Sequence, residues 1–242
     1  MAEEIRRPGG AMAKRPLNFF WVVDCSGSMI GDKIQQVNYA IQSTIPDMRD
    51  AAEGNTNAEL LIQAMKFSSG ASWITPSPVK IEDYSWTDLN ASGLTELGKA
   101  LDLLCAQLTI PPMSERALPP VIVLLSDGEP TDSYRPSLDK LLSLPWGKKA
   151  VKIAIAIGKD ADRSVLQEFT GNSEYVLDAN NPQALVAMIR WASTVASQVS
   201  QPSSRMAADT TDVNSNVNNG QPQPSVVIDS YTLPDDFGTD VW

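Results

Sequence analysis

The chain has 242 residues, 43 % of them hydrophobic, with a formal net charge of −10. That is enough apolar material for one large α/β domain without disulfide staples, and the negative charge argues against non-specific nucleic-acid binding. Histidine is absent and there are two cysteines, Cys25 and Cys105, neither in a CxxC spacing. These facts exclude Ser-His-Asp and Cys-His hydrolases, histidine-ligated metal sites and a zinc-finger framework.

Residues 1–16 are polar and Gly/Pro-bearing and read as a mobile leader with no apolar signal-peptide core. A first strand is expected from about Leu17 to Val23, and Phe19 to Val23 is a continuous bulky apolar run, the pattern of a parallel strand covered on both faces. It passes without a spacer into Asp24-Cys25-Ser26-Gly27-Ser28, where the carboxyl end of that strand emerges. Open α/β sheets place their ligand sites there. One carboxylate and two hydroxyls at alternate positions form an all-oxygen cluster, suited to Mg²⁺, Mn²⁺ or Ca²⁺ rather than to copper or zinc.

A helix opens near Gly31 or Asp32, with Ile34, Val37, Ile41 and Ile45 on one face. Pro46 is expected to break it, leaving a short second helix over 47–52. Residues 58–67 read as a second strand and 72–74 as an edge strand closed by Pro76 and Pro78. After the loop ending at Leu94-Thr95, Leu97, Leu101, Leu104 and Leu108 mark a helix; Thr95 by itself reads as its N-cap. Residues 121–128, VIVLLSDG, repeat the pattern of an apolar run ending in an acidic turn. A helix with Pro136 in its first turn follows, then a buried strand over 151–158, a short helix over 162–169, a strand over 174–178 and a long helix over 182–200. Alternating strands and helices imply a doubly wound, mostly parallel central sheet with helices on both faces, spanning 17–200.

From Gln201 the composition turns to Ser, Asn, Gln, Pro and Asp, a linker over 201–224. Residues 201–242 hold six acids and one base, so the flexible tail carries half of the net charge. The last stretch, 225–242, regains apolar anchors around its acids, and Asp235, Asp236, Phe237, Asp240 and Trp242 are read as partner-binding residues of a docking segment. No apolar run is long enough to cross a bilayer, and a chain of this kind is expected in the cytoplasm, without membrane or nucleic-acid partners.

DCSGSM, then GLTELGKAL, then LLSDGEPTD closely resemble the von Willebrand factor A domain. The resemblance covers roughly 17–200. It implies a Rossmann-like fold and a metal-ion-dependent adhesion site (MIDAS) made by Asp24, Ser26, Ser28, Thr95 and Asp127. It further implies that Ser26, Ser28 and Thr95 offer neutral hydroxyl oxygens, while Asp24 and Asp127 act through bound water or directly. A cation with neutral ligands stays under-neutralised and draws in a carboxylate from a protein partner. The SDGEPTD turn and the WGKKAVKIAIAIG stretch are similar to the bacterial tellurite-resistance type. That likeness implies a stress-response or defence system with a serine/threonine kinase and a metal-dependent phosphatase as partners. The function so implied is non-enzymatic, a metal-dependent adaptor. The rival reading is a Mg²⁺-dependent phosphohydrolase with Asp24 as nucleophile; it lacks a second acid two residues on, where Ser26 stands, and there is no P-loop. Cys25 is expected to be a small buried filler.

Overall fold

The computed structural model of the protein describes residues 13–159 and 161–179. The leader as far as residue 12, the helix expected over 182–200, the linker and the docking segment with Asp235, Asp236, Phe237, Asp240 and Trp242 lie outside the described residues.

Strand β1 (Arg15–Asp24) is the centre of the fold. It pairs in parallel with β2 (Ala58–Ser68) on one side and with β5 (Val121–Ser126) on the other. Beyond β5 come β6 (Val151–Ile157) and β7 (Val176–Ala179), both parallel. Two short antiparallel strands, β3 (Gly70–Trp73) and β4 (Val79–Lys80), share the outer edge of β2. The chain therefore winds outward from β1 in one direction, returns, and winds outward in the other. The carboxyl ends of β1 and β5 flank the point where that reversal occurs, the place such sheets use for binding.

The apolar runs are buried on both faces, as parallel strands require. Phe20 and Val22 of β1, Ile122 and Leu124 of β5, and Ala154 and Ala156 of β6 share one core with α2 (Leu97–Gln107), α3 (Arg135–Ser143), α4 (Pro145–Lys149) and α5 (Arg163–Thr170). Residues of the other parity, among them Phe19, Trp21, Val23, Val123 and Ile155, are equally buried and outside that core. Helix α1 (Asp32–Glu53) makes the crossover from β1 to β2, and its buried residues belong to this second side.

Helix α1 corrects the expected break. It runs unbroken for 22 residues with Pro46 inside it. Proline removes one helical hydrogen bond and crowds the preceding turn, at a cost of about 3 kcal/mol. The stripe Ile34, Val37, Ile41, Ile45, Met48 and Ala52 is buried on both sides of Pro46, and burying a side chain of this size contributes about 1.5–3 kcal/mol. Packing thus outweighs the local penalty. Just upstream, the Ser43 and Thr44 hydroxyls both donate to the Ala40 carbonyl, at 3.0 and 2.8 Å, a local bonding that bends helices. The predicted stripe of α2 is buried as expected.

Asn38, on the buried side of α1, clamps the long loop after β4. Its Oδ1 accepts from Leu89 N–H (2.9 Å) and Trp86 Nε1–H (3.1 Å), and its Nδ2 donates to the Leu89 carbonyl (2.9 Å). Replacing Asn38 by alanine orphans a buried N–H and a buried carbonyl. A loss of about 2–4 kcal/mol follows, measurable as a shift in the urea midpoint without a change in slope.

A candidate metal centre at the switch point

Three loops meet above the ends of β1 and β5. The first, Cys25–Ile30, leaves β1 and forms a 3-10 turn over Gly27–Met29. The second, 89–95, leads into α2. The third, 127–132, follows β5. Backbone hydrogen bonds join them: Ser92 N–H donates to the Cys25 carbonyl at 2.7 Å, Gly27 N–H to that of Gly93 at 2.9 Å, and Thr131 N–H to that of Thr95 at 2.8 Å. Gly93 takes φ of +84°, and a Cβ there would lie 2.5 Å from Ser69 Oγ, so no larger residue fits this crossing.

All five predicted residues are brought to this cluster. Asp24 is wholly buried. Its Oδ1 accepts from Ser26 N–H at 2.8 Å and its Oδ2 from the Ser126 hydroxyl at 2.6 Å. Burial pushes its carboxyl above the ordinary aspartate range, and the nearby Asp127 charge adds to the rise against the lowering effect of these hydrogen bonds. Ser26 Oγ and Ser28 Oγ are 3.0 Å apart. The Ser28 hydroxyl donates to Asp127 Oδ1 at 2.7 Å, which closes a chain from the first loop to the third. Asp127 and Thr95 are both buried. A Cβ built on Gly128 would lie 3.4 Å from Ser28 Oγ and 4.0 Å from Thr95 Oγ1. These two hydroxyls therefore flank the same space, which glycine leaves open.

The donor set fits a hard divalent cation: three hydroxyls, two carboxylates and no sulfur or imidazole. Among the described residues no group of three or more His, Cys, Asp or Glu is placed to hold a metal, so any such site here depends on hydroxyl oxygens. A positive charge does sit at the cluster. Lys33 Nζ donates to Asp127 Oδ2 at 2.6 Å.

Two residues of this region, Ser126 and Lys33, carry no role in the sequence reading, and a third, Asp132, reads there as a residue that solvates the loop. Ser126, the last residue of β5, holds Asp24 across the sheet. Lys33 lies in the first turn of α1, and nothing in its spacing in the sequence points to Asp127. The third is Asp132. Thr95 does not cap α2; Glu96 occupies the cap position without a side-chain bond to the helix's free N–H groups. Asp132 does the capping from 34 positions away, its carboxylate accepting from Gly98 N–H at 3.1 Å and Lys99 N–H at 3.3 Å. Thr95 N–H instead donates to Thr131 Oγ1 at 3.1 Å.

Cys25 is buried, and its thiol is pushed up to about 12, first by that burial and then by Asp24, against a lowering by Lys66. The thiol stays protonated across the ordinary pH range and shielded from reagents. Iodoacetamide at pH 8 should leave Cys25 unlabelled in the native protein and label it after unfolding, read by peptide mass spectrometry.

The order of strands and the oxygen-lined loops at the reversal point define a doubly wound α/β domain of the Rossmann-like kind. The family model of the von Willebrand factor type A domain matches residues 19–191, and the chain belongs to that family. No curated protein matches it. Solved structures share the fold at low identity. A von Willebrand factor type A protein from Catenulispora acidiphila is 14 % identical with a TM-score of 0.55, over 77 % of this chain and 43 % of that one. Proximal thread matrix protein 1 of the mussel byssus, with a zinc-occupied MIDAS motif, is 17 % identical with a TM-score of 0.59, over 76 % and 48 %. The pilus adhesin SpaC from Lactobacillus rhamnosus GG is 15 % identical with a TM-score of 0.60, over 77 % and 31 %. The chain thus covers less than half the length of these structures. Domains of this family are known for metal-dependent protein–protein interaction and adhesion. No described helix is long and apolar enough to cross a membrane.

Proposed function

We propose that the protein is a non-enzymatic adaptor that binds an acidic residue of a partner protein through a divalent cation. Asp24, Ser26, Ser28, Thr95 and Asp127 would hold the ion, Mg²⁺ or its relatives Mn²⁺ and Ca²⁺, which supplies a Lewis-acidic position for the incoming carboxylate. The observation that carries this reading is the convergence of Ser28 Oγ and Thr95 Oγ1 on the opening above Gly128, with Ser26 Oγ 3.0 Å from Ser28 Oγ and two buried carboxylates beside them. The chain's own part is to fix these oxygens. Ser126 and Ser26 N–H pin Asp24, and the three stitched loops pin the hydroxyls. Asp24 is enclosed with both oxygens engaged, which does not favour the phosphohydrolase reading, since a nucleophile must reach its substrate.

The wider setting belongs to the same proposal: a cytoplasmic bacterial stress-response system, with a serine/threonine kinase and a metal-dependent phosphatase as partners. Residues 17–200 form the domain, 201–224 the linker and 225–242 a docking segment with Asp235, Asp236, Phe237, Asp240 and Trp242. Zinc in the mussel protein's site makes the choice of metal part of the test. Isothermal titration of the full chain with Mg²⁺, Mn²⁺, Ca²⁺ and Zn²⁺ should show one-site binding that Ser26→Ala/Ser28→Ala abolishes. Equal binding by that double variant overturns the site. Deleting 221–242 should weaken partner capture while leaving metal binding intact.

A further inference from the structure

Lys33 is the second residue of α1, where the helix dipole disfavours a positive charge. Its ammonium is nonetheless drawn onto Asp127 Oδ2 at 2.6 Å, with the lysine side chain 26 % exposed and the aspartate side chain wholly buried. The other Asp127 oxygen accepts from Ser28 Oγ, so both oxygens of the carboxylate have partners within the chain. The proton of that Ser28 bond points at Asp127, and the lone pairs of the hydroxyl remain available to a cation. A divalent ion shared by Ser28 and Asp127 would stand close to the ammonium, and like charges at that separation repel.

We propose that Lys33 is a tethered counter-cation, which neutralises Asp127 in the metal-free protein and which a divalent ion must displace from Oδ2, so that Lys33 sets the affinity of the site. The proposal rests on the metal-centre reading above. It makes the affinity of the site a property of this chain's own sequence, and the 26 % exposure of the lysine side chain gives the displaced ammonium a solvent-facing side to turn to.

The test is calorimetric titration of the full chain with Mn²⁺ and Mg²⁺, comparing wild type, Lys33→Met and Lys33→Arg, together with melting curves in EDTA and in saturating Mn²⁺. Lys33→Met should bind Mn²⁺ about tenfold more tightly. It should melt lower than wild type in EDTA and regain the difference in Mn²⁺. Lys33→Arg, which keeps the charge, should bind like wild type. Should Lys33→Met not fold, Lys33→Gln keeps a donor for Asp127 without the charge and is expected to tighten binding in the same direction. Affinity in the neutral variants equal to or weaker than wild type overturns the counter-cation role while leaving the metal centre standing. Absence of binding in every protein, wild type included, overturns the metal centre itself.

Discussion

If the proposed site holds a divalent cation, binding should raise the melting temperature, and Asp24→Ala is expected to abolish that rise and to lower the temperature even in EDTA. The alanine leaves Ser26 N–H and the Ser126 hydroxyl buried without their acceptor. Each stranded group costs about 1–3 kcal/mol, so a total of roughly 2–5 kcal/mol follows. In a domain of this size that is a fall on the order of 10 °C. Asp24→Asn separates the two effects. Its amide retains an acceptor for Ser26 N–H and a donor for Ser126 Oγ, so most of the stability should return while the cation response stays absent. Thermal melts of both variants with and without Mn²⁺ decide the matter, and a preserved response in Asp24→Ala would contradict the assignment.

Gly147→Ala is expected to destabilise the protein by about 3 kcal/mol or more, against the sign that helix propensity gives. In an ordinary helix interior, alanine is favoured over glycine by about 1 kcal/mol. In α4, however, a Cβ on residue 147 would fall well inside contact distance of the Leu141 carbonyl, with the Leu144 side chain beside it. Backbone must move, and α4 carries Trp146 into the core shared by the sheet and α3. Overpacking of this kind costs about 1–3 kcal/mol and more where backbone resists. Helix α4 leads into the first residue of β6, at the opposite end of the sheet from Asp24 and Asp127. Urea denaturation should therefore show the loss while metal titration of the folded variant stays like wild type.

The parts that were legible in the sequence are those decided by short-range pattern. The runs Phe19 to Val23 and Val121 to Leu125 have no polar face, so they could be only doubly covered strands, and the acidic turns after them mark the same end of the sheet. The leucine stripe of α2 follows from its period. What was misread depends on contacts distant in the chain. Pro46 is tolerated because the whole stripe of α1 is buried, a fact of packing that a local rule does not contain. Thr95 fits a cap by position, yet Asp132 arrives from another loop to take that work. Lys33 and Asp127 are 94 positions apart, and no periodicity joins them. The five candidate metal residues were picked out in the sequence by a specific three-part motif, which stands in for that missing long-range information.

The three loops of the cluster are drawn from positions as far apart as Asp24 and Asp132, and they are sewn together by main-chain bonds. Such an arrangement cannot exist in a nascent chain that stops short of β5, because contacts of large sequence separation form only once the intervening loops have closed. Ion capture would accordingly serve as a reporter of completed assembly: a ribosome-held fragment ending before Ser126 should be inert towards Mn²⁺, and responsiveness should appear in one step when the fifth strand inserts beside the first.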